Sequence, residues 1–260
     1  MSDIQADAAR RFGGLQRLYG VAPAERIQSS HVAIVGIGGV GSWIAEALAR
    51  SGVGEVTLID MDHVAESNIN RQIHALTSTL GMAKIEAMRE RIAYINPACL
   101  VHCVDAFAEP DNWPQLLPAN VTAVVDACDQ VKSKTAMADW ARRTKTLFVC
   151  VGAAGGKRHG HLVDVADLSQ VTHDPLLAQV RYNLRKFHGA PREGKSLGVH
   201  CVFSREAVAA PDPSCAIQSD GTLNCHGYGS SVTVTASFGM CAAGLVMDKI
   251  SQASLGEERN

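Results

Sequence analysis

The run Gly36-Ile37-Gly38-Gly39-Val40-Gly41 is the first part of the chain whose residue types suggest a chemical use. Glycine lets a backbone turn tightly and leaves room for a phosphate, because no Cβ stands in the way. The β-branched residues 31–35 precede the run, and strong helix formers (Ala45, Glu46, Ala47, Leu48, Ala49) follow it. That pattern predicts a strand, a glycine loop and a helix N-terminus, whose free N–H groups and positive dipole end attract phosphate oxygens. Asp60 follows the next predicted strand, about 20 residues on, where a carboxylate can accept hydrogen bonds from ribose hydroxyls. Gly36, Gly38, Gly39, Gly41 and Asp60 therefore read as a nucleotide site. The motif alone does not separate NAD, FAD and ATP, and a tight turn without ligand is the bland alternative.

The residues beyond Asp60 bear on the cofactor class. Asp62, Asn68, Arg71, Gln72 and Lys84 put polar groups and cations after the second strand. Hydride transfer needs no such cations there, whereas adenylyl transfer does. When a carboxylate attacks the α-phosphate, charge builds up and pyrophosphate must leave, and Arg71 and Lys84 can stabilise both. Asp129 follows a predicted strand end, where ligands bind in open sheets, and can hold the Mg²⁺ that bridges phosphates. Competing readings make Arg71 and Lys84 solvated charges and Asp62 a turn or cap residue. Asp126 either orients its loop by hydrogen bonds or binds the metal.

The elements that must position these groups alternate. Strands are predicted at 31–35, 56–59, 100–104, 121–125 and 147–151, and helices at 42–51, 82–95 and 132–144, with a short helix at 23–28. The fold class is α/β, a doubly wound Rossmann-like, mostly parallel sheet. After residue 151 the rhythm breaks. Residues 161–165 and 198–203 read as strands flanking a helix with a basic face. The β-branched segment 231–238 reads as a further strand followed by a helix, and these late strands add antiparallel members. The chain is read as one unit over 1–260, with a nucleotide-binding half at 10–155 and a substrate-binding and dimerisation half at 156–260.

Composition sets the remaining bounds. Net charge is -2 over 260 residues, so bulk charge gives no argument for nucleic-acid binding, and any such surface must be local. The 8 cysteines include no Cys-x-x-Cys pair, and no basic-then-apolar leader opens the chain, which suits reduced thiols in the cytoplasm. No uninterrupted apolar run reaches spanning length, so no integral membrane span is expected.

The segment from Leu58-Ile59-Asp60-Met61-Asp62 through Asn68-Ile69-Asn70-Arg71-Gln72 to Gly81-Met82-Ala83-Lys84, with the glycine run before it, resembles the ubiquitin-activating and molybdopterin/thiamine-biosynthesis adenylyltransferase superfamily over roughly residues 10–155. The resemblance implies ATP as cosubstrate and usually a homodimer. Asp60 would hold the ribose, with Asp62 and Gln72 in the same nucleotide set. Asn68 and Arg71 would meet the triphosphate, Lys84 would reach ribose and phosphate, and Asp129 would bind Mg²⁺. A further arginine usually reaches the partner subunit's site; Arg11 and Arg17 are the local candidates.

Over nearly its full length the chain is similar to the tRNA threonylcarbamoyladenosine dehydratase family. The matching pieces include Arg11-Phe12-Gly13-Gly14, Asn70-Arg71-Gln72-Ile73-His74-Ala75-Leu76, Asp174-Pro175-Leu176, Cys201-Val202-Phe203-Ser204 and Thr233-Val234-Thr235-Ala236-Ser237-Phe238-Gly239. That resemblance implies ATP-dependent cyclisation of N6-threonylcarbamoyladenosine at position 37 of tRNA, through activation of its threonine carboxylate as an acyl-adenylate. The alternative is adenylation of the C-terminal carboxylate of a ubiquitin-like sulfur carrier protein. Such enzymes commonly carry zinc on paired Cys-x-x-Cys motifs, which are missing here, so no structural zinc is expected. A non-adenylating oxidoreductase is the third reading. For tRNA, Arg181, Arg185, Lys186, Arg192 and Lys195 offer a basic surface, with Tyr182 and His188 to stack on bases; the competing reading is a solvated helix. Cys225, beside His226, can form a thioester or be a plain loop thiol. A cysteine desulfurase sulfur-transfer partner follows from the family association alone, and a monovalent cation is conceivable without identified ligands.

Overall fold

The computed structural model describes residues 6–192, 194–212, 214 and 228–253. Two short helices, α1 (Ala8–Tyr19) and α2 (Val21–Gln28), lead into β1 (His31–Val35), α3 (Gly41–Arg50) and β2 (Glu55–Ile59). Then come α4 (Lys84–Ile95), β3 (Leu100–Val104), β4 (Ala123–Asp126), α5 (Val131–Thr144) and β5 (Leu147–Val151). The last part holds β6 (Val163–Asp167), α6 (Pro175–Phe187), β7 (His200–Ser204) and α7 (Val232–Gln252).

The strands form one 7-stranded sheet in the order β3-β2-β1-β4-β5-β7-β6. All neighbours are parallel except β6 and β7. The parallel core needs cover on both faces, and its strands are apolar on both. Val32 and Ile34 face one cluster with Ile44 and Leu48 of α3, Met88 and Ile92 of α4, and Val234 and Phe238 of α7. Ala33 and Val35 face the other, with Met137 and Ala138 of α5 and Leu177 and Val180 of α6. The order reverses between β1 and β4, the kind of switch point at which open sheets take their ligands, and the glycine loop and the loop that follows Asp126 lie side by side at the C-terminal ends of these strands.

One predicted strand is not a strand. Residues 231–238 form the start of α7, a 21-residue helix. Ser231 caps it, its side chain accepting from Thr233 N–H, and Ser237 Oγ donates back to the Thr233 carbonyl. Val234, Phe238, Ala242 and Val246, each four residues apart, are all fully buried. That stripe packs against α3 and outweighs the strand preference of β-branched residues. Gly239 stands at the crossing, where a Cβ would lie 2.6 Å from that of Trp43. Among the described residues the antiparallel part of the late sheet is the β6–β7 pair alone.

Among the described residues no helix is long and apolar enough to cross a membrane. Cys99, Cys103, Cys128, Cys150, Cys201 and Cys241 are free thiols. Cys201 is buried in β7, as its place on a predicted strand suggested.

Candidate functional site

Gly36 adopts φ 86°, and a Cβ there would press on the backbone of Ala127 and Cys128 at 3.0 Å. Glycine at this position therefore lets the β1 loop lie against the β4 loop. Gly41 is more constrained: a Cβ would stand 1.7 Å from the Gly36 carbonyl oxygen. Gly41→Ala should open the loop and abolish nucleotide binding while the sheet still folds. Calorimetric titration with ATP, alongside circular dichroism, checks this; ATP binding of ordinary strength would show that the loop does not hold phosphate.

Asp60 holds the glycine loop in place. Its Oδ2 accepts from Ile37 N–H at 2.6 Å and its Oδ1 from Asp62 N–H at 2.8 Å. Burial pushes its carboxyl up from the ordinary value, while Lys84 and these two N–H groups pull it down. Each oxygen keeps a lone pair for a further donor. Lys84, buried at the start of α4, donates to Asp62 Oδ2 at 2.6 Å, and its own N–H bonds the Asp62 carbonyl. Asp62 is thus an ion-pair partner of Lys84 rather than a cap. Asn68 is buried, its side chain accepting from Ala65 N–H, and its carbonyl receives the Arg71 and Gln72 N–H groups.

Arg71 is held by its backbone. Its carbonyl accepts from Trp43 Nε1 at 2.9 Å and from Thr235 Oγ1 at 3.3 Å. Arg71 is partly exposed, and among the described residues its guanidinium bonds only Ser67 and Asn70, at 2.6 and 2.9 Å, while its stem lies against Gly39. Gln72 sits under Gly38 with a buried Oε1 that has no partner among the described residues. Beyond β4, Asp129 is exposed, and among the described residues its carboxylate meets only Gln130 Nε2 at 3.2 Å. Asp126 is different. It accepts from Cys128 N–H, Cys128 Sγ, Lys134 Nζ and Cys150 Sγ, so it orients its loop and has no oxygen free for a metal.

The other sequence candidates lie elsewhere. Arg11 donates to the Ile95 carbonyl at the end of α4 and lines a cavity of about 620 Å³ with His74, Arg50 and Arg91. Arg17 is exposed beside Gly13 and Gly14. Neither contacts residues 36–41 of its own chain. Of the basic set, Arg181 donates to the Leu168 and Val171 carbonyls and Arg185 to that of Pro191, so these heads fasten loops rather than forming an open basic face. Lys186 lies over Tyr182 and Phe187, which are 52% and 65% exposed, and Arg192 and Lys195 are exposed. His188 meets Asp139. Cys225 and His226 fall outside the described residues.

His74, which lines the Arg11 cavity, is 1% exposed, and neither ring nitrogen is bonded among the described residues. Burial, with Lys84 and Arg91 nearby, pushes its pKa down from 6.5 to about 4. The unfolded chain therefore binds more protons between these values, and stability is lost as pH falls through that window. The loss amounts to about 3 kcal/mol at about 1.4 kcal/mol per unit. Urea unfolding at pH 7 and pH 4.5 should show most of this fall, and His74→Gln should flatten it.

The ThiF family profile matches residues 12–260. The tRNA threonylcarbamoyladenosine dehydratase of Escherichia coli K12 is 44% identical over 96% of this chain and 97% of its own. That of Haemophilus influenzae is 41% identical over 93% of each. This chain belongs to the ThiF family, among the tRNA threonylcarbamoyladenosine dehydratases. A crystal structure of the E. coli dehydratase TcdA in complex with ATP superimposes with a TM-score of 0.85 at 43% identity, covering 94% of this chain and 96% of that one.

Three residues of this ThiF-family site were missed by sequence reasoning. Lys134 is fully buried and donates to Asp126 Oδ2 at 3.0 Å and to the Val151 carbonyl at 2.7 Å, tying the C-terminal ends of β4 and β5 together. Helical spacing held the clue, since Lys134 shares a face with the buried Met137, Ala138 and Ala141, and Lys132 does not. Trp43 and Thr235 grip the Arg71 carbonyl from α3 and α7. Thr235 stood in a segment that matched the dehydratase family, but with that segment read as a strand nothing pointed to its bond with the Arg71 carbonyl.

Proposed function

We propose that the chain catalyses ATP-dependent dehydration of N6-threonylcarbamoyladenosine in tRNA, closing its threonine carboxylate into a ring. The observation that carries this reading is the switch point between β1 and β4, where the glycine loop meets the Arg71 stem at Gly39 and packs at Gly36 on the loop that leads to the exposed Asp129, in a chain 44% identical to a dehydratase over 96% of its length.

In this reading the ATP phosphates lie over residues 36–41 and the N-terminus of α3. Asp60 accepts the ribose hydroxyls with its remaining lone pairs. Arg71 moves from Ser67 and Asn70 onto the triphosphate, and Lys84 leaves Asp62 for ribose and phosphate. One exposed carboxylate beside phosphates is the usual Mg²⁺ arrangement, so Asp129 would hold that ion, which neutralises phosphate charge. The threonine carboxylate attacks the α-phosphorus and pyrophosphate leaves. A nucleophile of the same side chain then attacks the acyl carbon and expels AMP, so water is lost at the cost of one ATP. Ring closure gains from the closeness of the reacting groups. Two copies would associate, with Arg11 or Arg17 reaching the partner's site. The sulfur-carrier alternative is not favoured, because relatives 41–44% identical over 93–96% of the chain are dehydratases.

The test is mass spectrometry of nucleosides from tRNA carrying the substrate, incubated with protein and Mg²⁺, with and without ATP. An ATP-dependent loss of one water, about 18 mass units, is expected. An unchanged nucleoside with intact ATP binding would reject the reading.

A further inference from the structure

At the end of the strands away from the glycine loop, three donor side chains converge. His31 opens β1, Glu55 opens β2, and His102 lies in β3. The register sets His31 beside Glu55 and Thr57 beside His102, so all three side chains leave one face of the sheet. Glu55 Oε1 is 2.7 Å from His102 Nε2 and 3.5 Å from His31 Nδ1, and the three donor atoms all lie within 4.8 Å of one another. Around them is an outer set of partners. Thr57 Oγ1 is 2.7 Å from His31 Nε2, Asn120 Nδ2 donates to Glu55 Oε2 at 3.2 Å, and Asn120 Oδ1 is 3.2 Å from His31 Nδ1.

We propose that His31, Glu55 and His102 bind a divalent transition metal of the zinc type. Two imidazoles and one carboxylate are donors that suit zinc. Tetrahedral zinc at its usual bond lengths separates its ligand atoms by about 3.3 Å. The 3.5 Å pair already fits, and the 2.7 Å pair needs His102, which is 47% exposed on its side chain, to swing out by a fraction of an ångström. With its Nε2 proton on Thr57 Oγ1, the buried His31 ring turns its Nδ1 lone pair to the ion, the usual outer-sphere arrangement for a ligating histidine. Asn120 Oδ1 or water completes four ligands, and the exposed side at His102 gives entry. The missing Cys-x-x-Cys pairs remove the thiolate kind of zinc site, not this one. The ion would pin β3, the edge strand, to β1 and β2, adding to stability without entering the chemistry.

The test uses the full-length chain, dialysed against chelator and titrated calorimetrically with ZnCl₂, with Co²⁺ absorption as a report on tetrahedral geometry. One Zn²⁺ per chain is expected, with a rise in thermal midpoint. Loss of an outer-sphere partner costs about 10–100-fold in affinity, so His102→Gln and Glu55→Gln should each weaken binding by about 100-fold or more and remove that rise. His102→Gln keeps a hydrogen bond to Glu55 at a half-exposed position, so the metal-free variant should melt close to the parent. No zinc binding would overturn the proposal. So would equal affinity in both variants, which would put the ion on other ligands such as the cysteines.

Discussion

Arg71→Ala will lower ATP-dependent dehydration of the tRNA nucleoside by about 10²–10³-fold or more, the scale on which a group stabilising developing charge acts. The loss should fall on turnover and not on the fold. Among the described residues the guanidinium bonds only Ser67 and Asn70, both close to it in sequence, whereas Trp43 of α3 and Thr235 of α7 hold this segment by the Arg71 carbonyl, which alanine keeps. Lys84→Ala will abolish turnover as well, but with a cost in stability. Lys84 is buried, and its ammonium helps offset the burial of Asp60, which grips the glycine loop. Removing it pushes the Asp60 carboxyl further up and loosens that grip. Single-turnover assays by nucleoside mass spectrometry, with thermal melts of each variant, separate the two effects. Near-normal turnover in a folded Arg71→Ala protein would remove Arg71 from the site.

Lys134→Met will destabilise the protein by about 3–5 kcal/mol, because it leaves the Asp126 carboxylate buried without its cation. At about 2–4 °C per kcal/mol for a chain of this size, the midpoint should drop by about 6–20 °C. Burial by itself pulls the Lys134 ammonium down, but Asp126, with Cys150 and Cys128, outweighs it and holds the group above its ordinary value of 10.5. A raised folded-state value makes the contribution full below 10.5, and it is lost only as pH rises through the higher folded value. The penalty of Lys134→Met should therefore be the same at pH 6 and pH 9. Adding Asp126→Asn should restore part of the loss by removing the orphaned charge, although Cys128 N–H then meets a weaker acceptor. If the single variant melts like the parent, the C-terminal ends of β4 and β5 are held by something other than this pair.

The sequence by itself determined the alternating frame and the position of the glycine loop. Buried parallel strands read as continuous apolar runs, and glycine suits position 36, where φ is 86°, and is required at 41, where a Cβ would overlap the Gly36 carbonyl oxygen. It also placed Asp60, Arg71, Lys84 and Asp129 after strand ends, where an open sheet gathers its ligands. What it left open were questions of partnership. Asp126 could orient or bind metal until Lys134, two cysteines and an N–H were seen to occupy it. Arg181 and Arg185 share a helix spacing, but only the folded loops show their guanidinium groups turned onto carbonyls. Residues 231–238 have strand-type side chains, and the burial of every fourth residue against α3 made them helix. His31, Glu55 and His102 come from three strands far apart in the chain, so no spacing could announce them. Local pattern specifies elements because backbone and side-chain preferences act within a few residues. Side-chain partnerships depend on which elements pack together, and only the tertiary structure decides that.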